Sequence, residues 1–282
     1  DQVRQMALEH HPKLIVTGAS SYPRMIDYAG FRSICDEVGA YFWVDCAHDI
    51  GLIAGGAIPS PVPYADVVTF STQKTLRGPR GCGVILCKEA LGKKIDRGVF
   101  PRIQGGPKGD MLAARGVLFL ELMQPEFRTY AHQVVKNAKA LAKGCADEGM
   151  RLITGGTDTH MVMLDVTPVI ANGQLAETLL ASVGIITNKN MIPYDTLPPS
   201  LGSGLRIGSP TMTTRGAKEE EMYEIGRLLG KVLKNKDNEE LLEQVKQEVR
   251  QLAVSHPMFS SEWMPEKIRA QFDAMYCHET FE

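Results

Sequence analysis

One lysine stands out for the residues around it. Lys74 lies in Ser71-Thr72-Gln73-Lys74-Thr75-Leu76-Arg77-Gly78-Pro79-Arg80-Gly81, at the end of an apolar run and just before a cationic loop punctuated by glycine and proline. A lysine amine becomes a nucleophile when burial or neighbouring cations pull its pKa down, and Arg77 and Arg80 are such cations. This is the setting of a lysine that forms a Schiff base with a carbonyl. The run Asp66-Val67-Val68-Thr69-Phe70 reads as a buried strand, and Gly78-Pro79 bars a helix straight after it. Lys74 is therefore expected on a strand-end loop, where α/β proteins keep their sites. Taken alone, it reads equally well as a solvated lysine in a basic turn.

A second stretch, Tyr41-Phe42-Trp43-Val44-Asp45-Cys46-Ala47-His48, is an apolar strand ending in an acid, with an imidazole three residues on. A pyridoxal-phosphate site needs a carboxylate that keeps the pyridine nitrogen protonated, so that the ring acts as an electron sink. Asp45 fits that role. His48, on the following turn, would pack near the ring or hydrogen-bond to the linked amine, and it also fits a structural histidine.

Together these stretches resemble the serine hydroxymethyltransferase family, fold-type I pyridoxal-phosphate enzymes of the aspartate aminotransferase class. The resemblance runs from about residue 13 to about residue 257. It is also carried by Thr17-Gly18-Ala19-Ser20-Ser21-Tyr22, Phe100-Pro101-Arg102-Ile103-Gln104-Gly105-Gly106-Pro107, Gly155-Gly156-Thr157-Asp158-Thr159-His160 and Gly204-Leu205-Arg206-Ile207-Gly208-Ser209-Pro210. It implies that Lys74 carries the covalent link to pyridoxal 5'-phosphate, that Asp45 pairs with the pyridine nitrogen, and that His48 and Ser20 contact the ring region. Ser71, Gln73 and Arg80 flank the same cofactor site. Arg206 is implied as the clamp on the substrate carboxylate, a task suited to a planar guanidinium fork. Asn190 matches a position near the folate pterin. Gly105 and Gly106 are implied to reach a neighbouring subunit's phosphate, where glycine lets backbone amides approach an anion.

Several residues depart from the family pattern. Gln73 stands where a histidine usually precedes the lysine, Phe70 and Ser71 replace threonines, Gly109-Asp110 takes the place of a histidine, and Arg102 replaces a glycine. These changes bear on substrate choice and on use of tetrahydrofolate. Asp1-Gln2-Val3-Arg4 corresponds to the middle of the family's large domain. The resemblance thus implies a partner chain carrying the N-terminal half, from a split gene, with a truncated or proteolysed chain as the rival. It also implies a homologous copy across a two-fold interface.

Length and composition agree. The 282 residues, 44% of them hydrophobic, suffice for one large or two ordinary domains. A net charge of -2 gives no reason to expect nucleic acid or an anionic membrane surface. The six cysteines, Cys35, Cys46, Cys82, Cys87, Cys145 and Cys277, form no Cys-x-x-Cys pair and read as reduced thiols of a cytoplasmic protein. No apolar run near ~18 residues and no signal-peptide pattern is present, so no membrane span is expected. The expected metal content is none.

The expected fold is α/β. Strands near 13–17, 41–46, 66–70 and 82–87 alternate with helical stretches such as Phe31 to Val38, the pattern of a doubly wound parallel sheet. Residues 1–123 are expected to form the C-terminal part of the fold-type I large domain, residues 124–257 a smaller α/β domain, and 258–282 an extension. Asp110 to Glu148 has helical periodicity with a break at Pro125, and reads as the bridge between domains. Met161 to Val166 reads as a strand, Leu175 to Ser182 as a helix, and Arg215 to Leu233 as a long amphipathic helix. Lys234 to Asn238 reads as a solvated turn. Trp263, Phe272, Met275, Tyr276 and Phe281 give the tail enough apolar area to dock.

The implied activity is hydroxymethyl transfer by retro-aldol and aldol chemistry on a serine-like amino acid. The alternatives are a folate-independent threonine-type aldolase or transaldolase, including one that forms α-methylserine, and a non-catalytic regulatory subunit.

Overall fold

A computed structural model describes residues 1–81, 83–258, 266 and 268–271. The expected docking of the tail's aromatic residues lies outside the described residues.

The chain opens with helix α1 (Gln2–His10) and strand β1 (Leu14–Thr17), then α2 (Tyr28–Val38), β2 (Tyr41–Asp45), the short α3 (Ile50–Ala54), β3 (Val67–Ser71) and β4 (Gly83–Cys87). These strands form one sheet in the order β1-β2-β3-β4. β1, β2 and β3 run parallel, whereas β4 pairs antiparallel with β3. The sheet is mainly parallel, as expected, with β4 as its antiparallel edge. Residues 72–82 are too few for the crossover helix a parallel partner needs, so the chain turns back on itself.

Alternation along β2 sorts the faces of this sheet. Phe42 and Val44 are fully buried and pack with Val68, Leu52 and Cys35 under the helices. The opposite face carries Leu14, Val16, Tyr41 and Ile85, which are 44%, 51%, 54% and 43% exposed. Their shared side follows from the register, which pairs Leu14 with Tyr41, Val16 with Trp43, Trp43 with Val67 and Thr69 with Ile85.

Next come α4 (Glu89–Arg97), a π-helical turn (Gly98–Ile103), α5 (Gly109–Leu122) and α6 (Pro125–Asp147). Pro125 starts α6, where its missing N–H is not needed. The α6 stripe serves both halves of the molecule. Phe127, Tyr130, Ala131 and Val134 enter the core under the first sheet, while Leu141, Ala142 and Cys145 enter a second core.

The second core lies against an antiparallel sheet of β5 (Arg151–Leu152), β6 (Met161–Asp165), β7 (Asn188–Asn190) and β8 (Gly204–Gly208), in the order β5-β6-β8-β7. Every residue of β6 is buried. The helices here are α7 (Gly173–Ser182), α8 (Pro210–Thr214), α9 (Glu219–Lys234) and α10 (Glu239–Ser255). α9 crosses α6 so closely that a Cβ on Gly144 would sit 2.1 Å from the Tyr223 carbonyl oxygen, and one on Gly226 2.4 Å from that of Leu141. Only glycine permits that approach.

The helix expected from Arg215 begins later, at Glu219. Gly216, with φ +93°, turns the chain between α8 and α9, and α9 starts where the Lys218 N–H donates to the Glu221 carboxylate at 2.8 Å. The expected break after Lys234 is found, with the Asn238 side chain accepting from the Leu241 N–H to start α10.

Candidate active site

The loop carrying Lys74 is held from both ends. The Thr72 hydroxyl donates to the Pro79 carbonyl at 2.5 Å, and the Gly78 N–H donates to the Thr72 carbonyl at 2.8 Å. Thr72, Thr75 and Leu76 are buried, and Lys74 between Thr72 and Thr75 is half-buried, with Nζ donating to Ser71 Oγ at 2.9 Å. Thr75 ties this loop to the turn after β2. Its hydroxyl donates to the His48 carbonyl at 2.7 Å and accepts from the Gly51 N–H at 3.0 Å. Lys74 and His48 thus share one braced unit.

Arg77, on the same loop, turns toward the aromatic residues of α6. Its guanidinium lies over the Tyr130 ring, 3.9 Å from the centroid, and is engaged by the core under the sheet. Arg80 is exposed on the same loop. The Gln73 Oε1 is buried without a hydrogen-bond partner among the described residues.

Asp45 ends β2 on the uncovered face of the sheet, where it is exposed and Oδ1 accepts from the Ala47 N–H at 3.1 Å. Next to it, burial first, and then the Asp45 and Asp49 charges, push the Cys46 thiol up to about 12, so it stays protonated. Cys35, Cys46, Cys87 and Cys145 are all free thiols.

His48 is half-buried, and burial, then His160, Arg206 and Lys74, lower its pKa to about 3. It is a neutral imidazole at any ordinary pH. Lys74 belongs to the first half of the molecule and Arg206 to the second, and the charges of both disfavour a proton on this ring. Arg206 comes from β8 of the second sheet, and its guanidinium donates to the Ser20 carbonyl at 2.7 Å. Beside this contact Ser21 Oγ donates to Asn190 Oδ1 at 3.0 Å. The loop after β1 therefore closes onto β7 and β8 and brings Ser20 and Asn190 beside Arg206.

A second seam holds the two sheets together. Arg24 pairs with Asp158 at 3.1 Å and donates to the Thr154 carbonyl, and the Asp158 N–H donates to the Pro23 carbonyl. A Cβ on Gly156 would lie 3.0 Å from the Arg24 guanidinium, which explains glycine in Gly155-Gly156-Thr157-Asp158-Thr159-His160.

The structure thus gathers Lys74, Ser71, Gln73, His48, Arg206, Ser20 and Asn190 about one seam, with Asp45 at the adjoining strand end. Gly105 and Gly106 stand apart. They are exposed between the π-helical turn and α5, with no atom within 4 Å of an ideal Cβ on either. Sequence reasoning gave no role to His160 and Asp49, which pack against His48, nor to Thr75, which braces the loop. His160 was visible only as the last residue of a glycine-rich motif, and nothing in its spacing linked it to His48.

The donor set fits pyridoxal phosphate bound with an amino acid. It offers a lysine amine on a rigid loop, a carboxylate open on one side, a neutral imidazole and an arginine fork close to both.

The comparisons with known proteins point the same way. The chain matches the family described as Serine hydroxymethyltransferase over residues 1–229. It is 52% identical over 259 residues to a protein named serine hydroxymethyltransferase from Coprothermobacter proteolyticus, an alignment covering 92% of this chain and 62% of that protein. The chain therefore spans less than two thirds of the length of that relative.

Proposed function

Because this chain belongs to the serine hydroxymethyltransferase family, whose members use pyridoxal phosphate with tetrahydrofolate as carrier, we propose that it supplies the lysine-bearing part of a hydroxymethyltransferase site. The observation that carries this reading is the seam itself: Thr75 ties the Lys74 loop to His48, His48 meets His160 of the second half at 3.5 Å, and Arg206 of the second sheet donates to the Ser20 carbonyl of the first half. Lys74 would hold the cofactor through its Nζ, and Asp45 would face the pyridine nitrogen. When bound, the cofactor supplies an electron sink for the pair left at the α-carbon of a serine-like amino acid. Arg206 would bind the substrate carboxylate, and Asn190, beside Ser21 of the loop after β1, would face a folate ring. His48, being neutral, orients a polar neighbour without adding charge.

The uncovered face of the first sheet supports a further part of this reading. An apolar sheet face with Leu14, Val16, Tyr41 and Ile85 open is a surface for polypeptide. We take its cover to be the family's N-terminal half, with a second copy across a two-fold axis receiving Gly105 and Gly106. Residues 1–123 would then belong to the cofactor-binding domain and residues 124–257 to the smaller one.

A folate-independent aldolase or transaldolase is the second reading. It is favoured by Gln73, whose unpartnered buried oxygen beside Lys74 offers an acceptor that cannot take up a proton.

Reconstitution with pyridoxal phosphate, alone and with a polypeptide carrying the N-terminal half, tests the proposal. Visible absorption that is trapped by borohydride at Lys74 and lost in Lys74→Ala is the expected result. Cofactor attached equally well in Lys74→Ala would refute it. Serine cleavage that requires tetrahydrofolate separates hydroxymethyl transfer from folate-free cleavage of threonine or an α-methyl amino acid.

A further inference from the structure

Behind His48 lie two buried polar side chains from opposite halves of the molecule. His160 directly precedes β6 of the second sheet, and Asp49 follows His48 in the first half. Each is 7% exposed. Asp49 Oδ1 lies 3.3 Å from His160 Nδ1, within ion-pair range but not aligned as a hydrogen bond, and neither atom has a hydrogen-bond partner among the described residues, so each is the nearest polar group the other has. On its other side His160 presents Nε2 to His48 Nδ1 at 3.5 Å. The two imidazole planes are within 14° of parallel, yet their centroids are 5.6 Å apart. That separation is too long for rings lying face to face. The rings meet edge to edge, with the nitrogens between them, which is the geometry of an N–H···N contact. Among the described residues no group of three His, Cys, Asp or Glu side chains is placed to hold a metal ion, so the row is not a metal site.

We propose that Asp49 and His160 are positioning residues that fix the tautomer of His48. A buried carboxylate facing Nδ1 of His160 calls for a donor there, which puts a proton on Nδ1; with one proton on the ring, Nε2 is left bare. Bare Nε2 then accepts from Nδ1–H of His48. His48 in turn has no proton on its own Nε2. The nitrogen it has left for the site is therefore an acceptor, suited to a substrate or cofactor hydroxyl and unable to donate. Orientation of one imidazole by a carboxylate is the logic of the hydrolase triad, extended here by a second ring. Free imidazole side chains favour the opposite tautomer, with the proton on Nε2, so the arrangement does something that His48 would not do unaided. It also makes the site depend on contact between the halves, since the orienting ring comes from the second sheet.

The test is a two-bond 15N–1H correlation spectrum of the full chain in its assembly, labelled with 15N-histidine and free of cofactor. His48 and His160 are both expected to show a protonated Nδ1 and a bare Nε2. In Asp49→Asn the amide donates to His160 Nδ1, and the row reverses, so that both rings carry the proton on Nε2. A merely structural role for Asp49 would leave both tautomers in place. His160→Phe removes the partner nitrogen, and His48 returns to the tautomer favoured in solution. If that variant fails to fold, the isosteric Asp49→Asn still decides the matter. A wild-type His48 protonated on Nε2, or tautomers unmoved in Asp49→Asn, would overturn the inference. The role toward substrate rests on the proposed function, but the tautomers do not. The expected spectrum in a protein that never takes up pyridoxal phosphate would leave the relay standing and remove the functional reading.

Discussion

The two sheets of this molecule are built to different standards of closure. β6 of the second sheet is buried at all five positions, between neighbouring strands and beneath α6, α7 and α9. In the first sheet β2 alternates, with Phe42 and Val44 sealed on one side and Tyr41 and Asp45 open on the other. The second half satisfies its own apolar surface, whereas the first leaves a face bare. The chemistry follows that division. Asp45 stands on the open face and Lys74 at its edge, while Arg206 and His160 are carried by the closed half and hold firm positions against them.

The sharpest way to break this contrast is to cut equal amounts of apolar side chain from each sheet. Leu164→Ala in β6 leaves a cavity among fully buried neighbours and should cost about 2–5 kcal/mol in denaturant titration. A comparable loss from Val16→Ser, at the other end of the scale, would show that the open face is covered in the protein as measured. For the bare sheet that change should stay within about 0.5 kcal/mol.

Between these extremes lies the seam. Arg206→Ala should weaken amino-acid binding by about 2–5 kcal/mol, the range for removing one partner of a buried charge pair, with cofactor attachment at Lys74 retained. Arg206→Lys should recover only part of the loss, because an ammonium lacks the planar fork. Isothermal titration with serine reads both, and unaltered affinity in Arg206→Ala would move the carboxylate clamp elsewhere.

A smaller effect concerns acid. His48 is held neutral in the fold down to about 3, whereas in the unfolded chain it takes a proton below its ordinary value of 6.5. The unfolded state therefore binds the extra proton in that window. Stability from this site is complete above 6.5 and declines as pH falls toward 3. His48→Gln should flatten that part of the stability profile, and an unchanged slope between wild type and variant would show that the ring is not desolvated as described.

Much of this was legible in the residues themselves. The apolar runs at 41–46 and 66–70 are strands because alternating or continuous apolar residues bounded by turn formers allow little else, and Pro125 and Lys234 to Asn238 mark real helix boundaries. The direction of β4 was not legible, since strand periodicity carries no sign. It was set by the short loop that Thr72, Gly78 and Pro79 fold. The turn at Gly216 was also hidden, because a single glycine inside an amphipathic pattern is tolerated in some helices and bounds others. The resting place of Arg77 was hidden too, because its charge was visible in sequence and the Tyr130 face that receives it was not.

For the site, the sequence by itself determined which groups are present: an amine on a stiff loop, an acid at a strand end, an arginine in a short strand, and the family to which their motifs belong. Only the tertiary structure decided which of them meet. Lys74 and His48 are joined by Thr75, Arg206 is brought across by the loop after β1, and His160 and Asp49 are placed in line behind His48. Residue types and local periodicity are properties of neighbouring positions along the chain. The electrostatics of a site depends on distances between groups more than a hundred positions apart, and those distances exist only after two cores have packed along a shared helix.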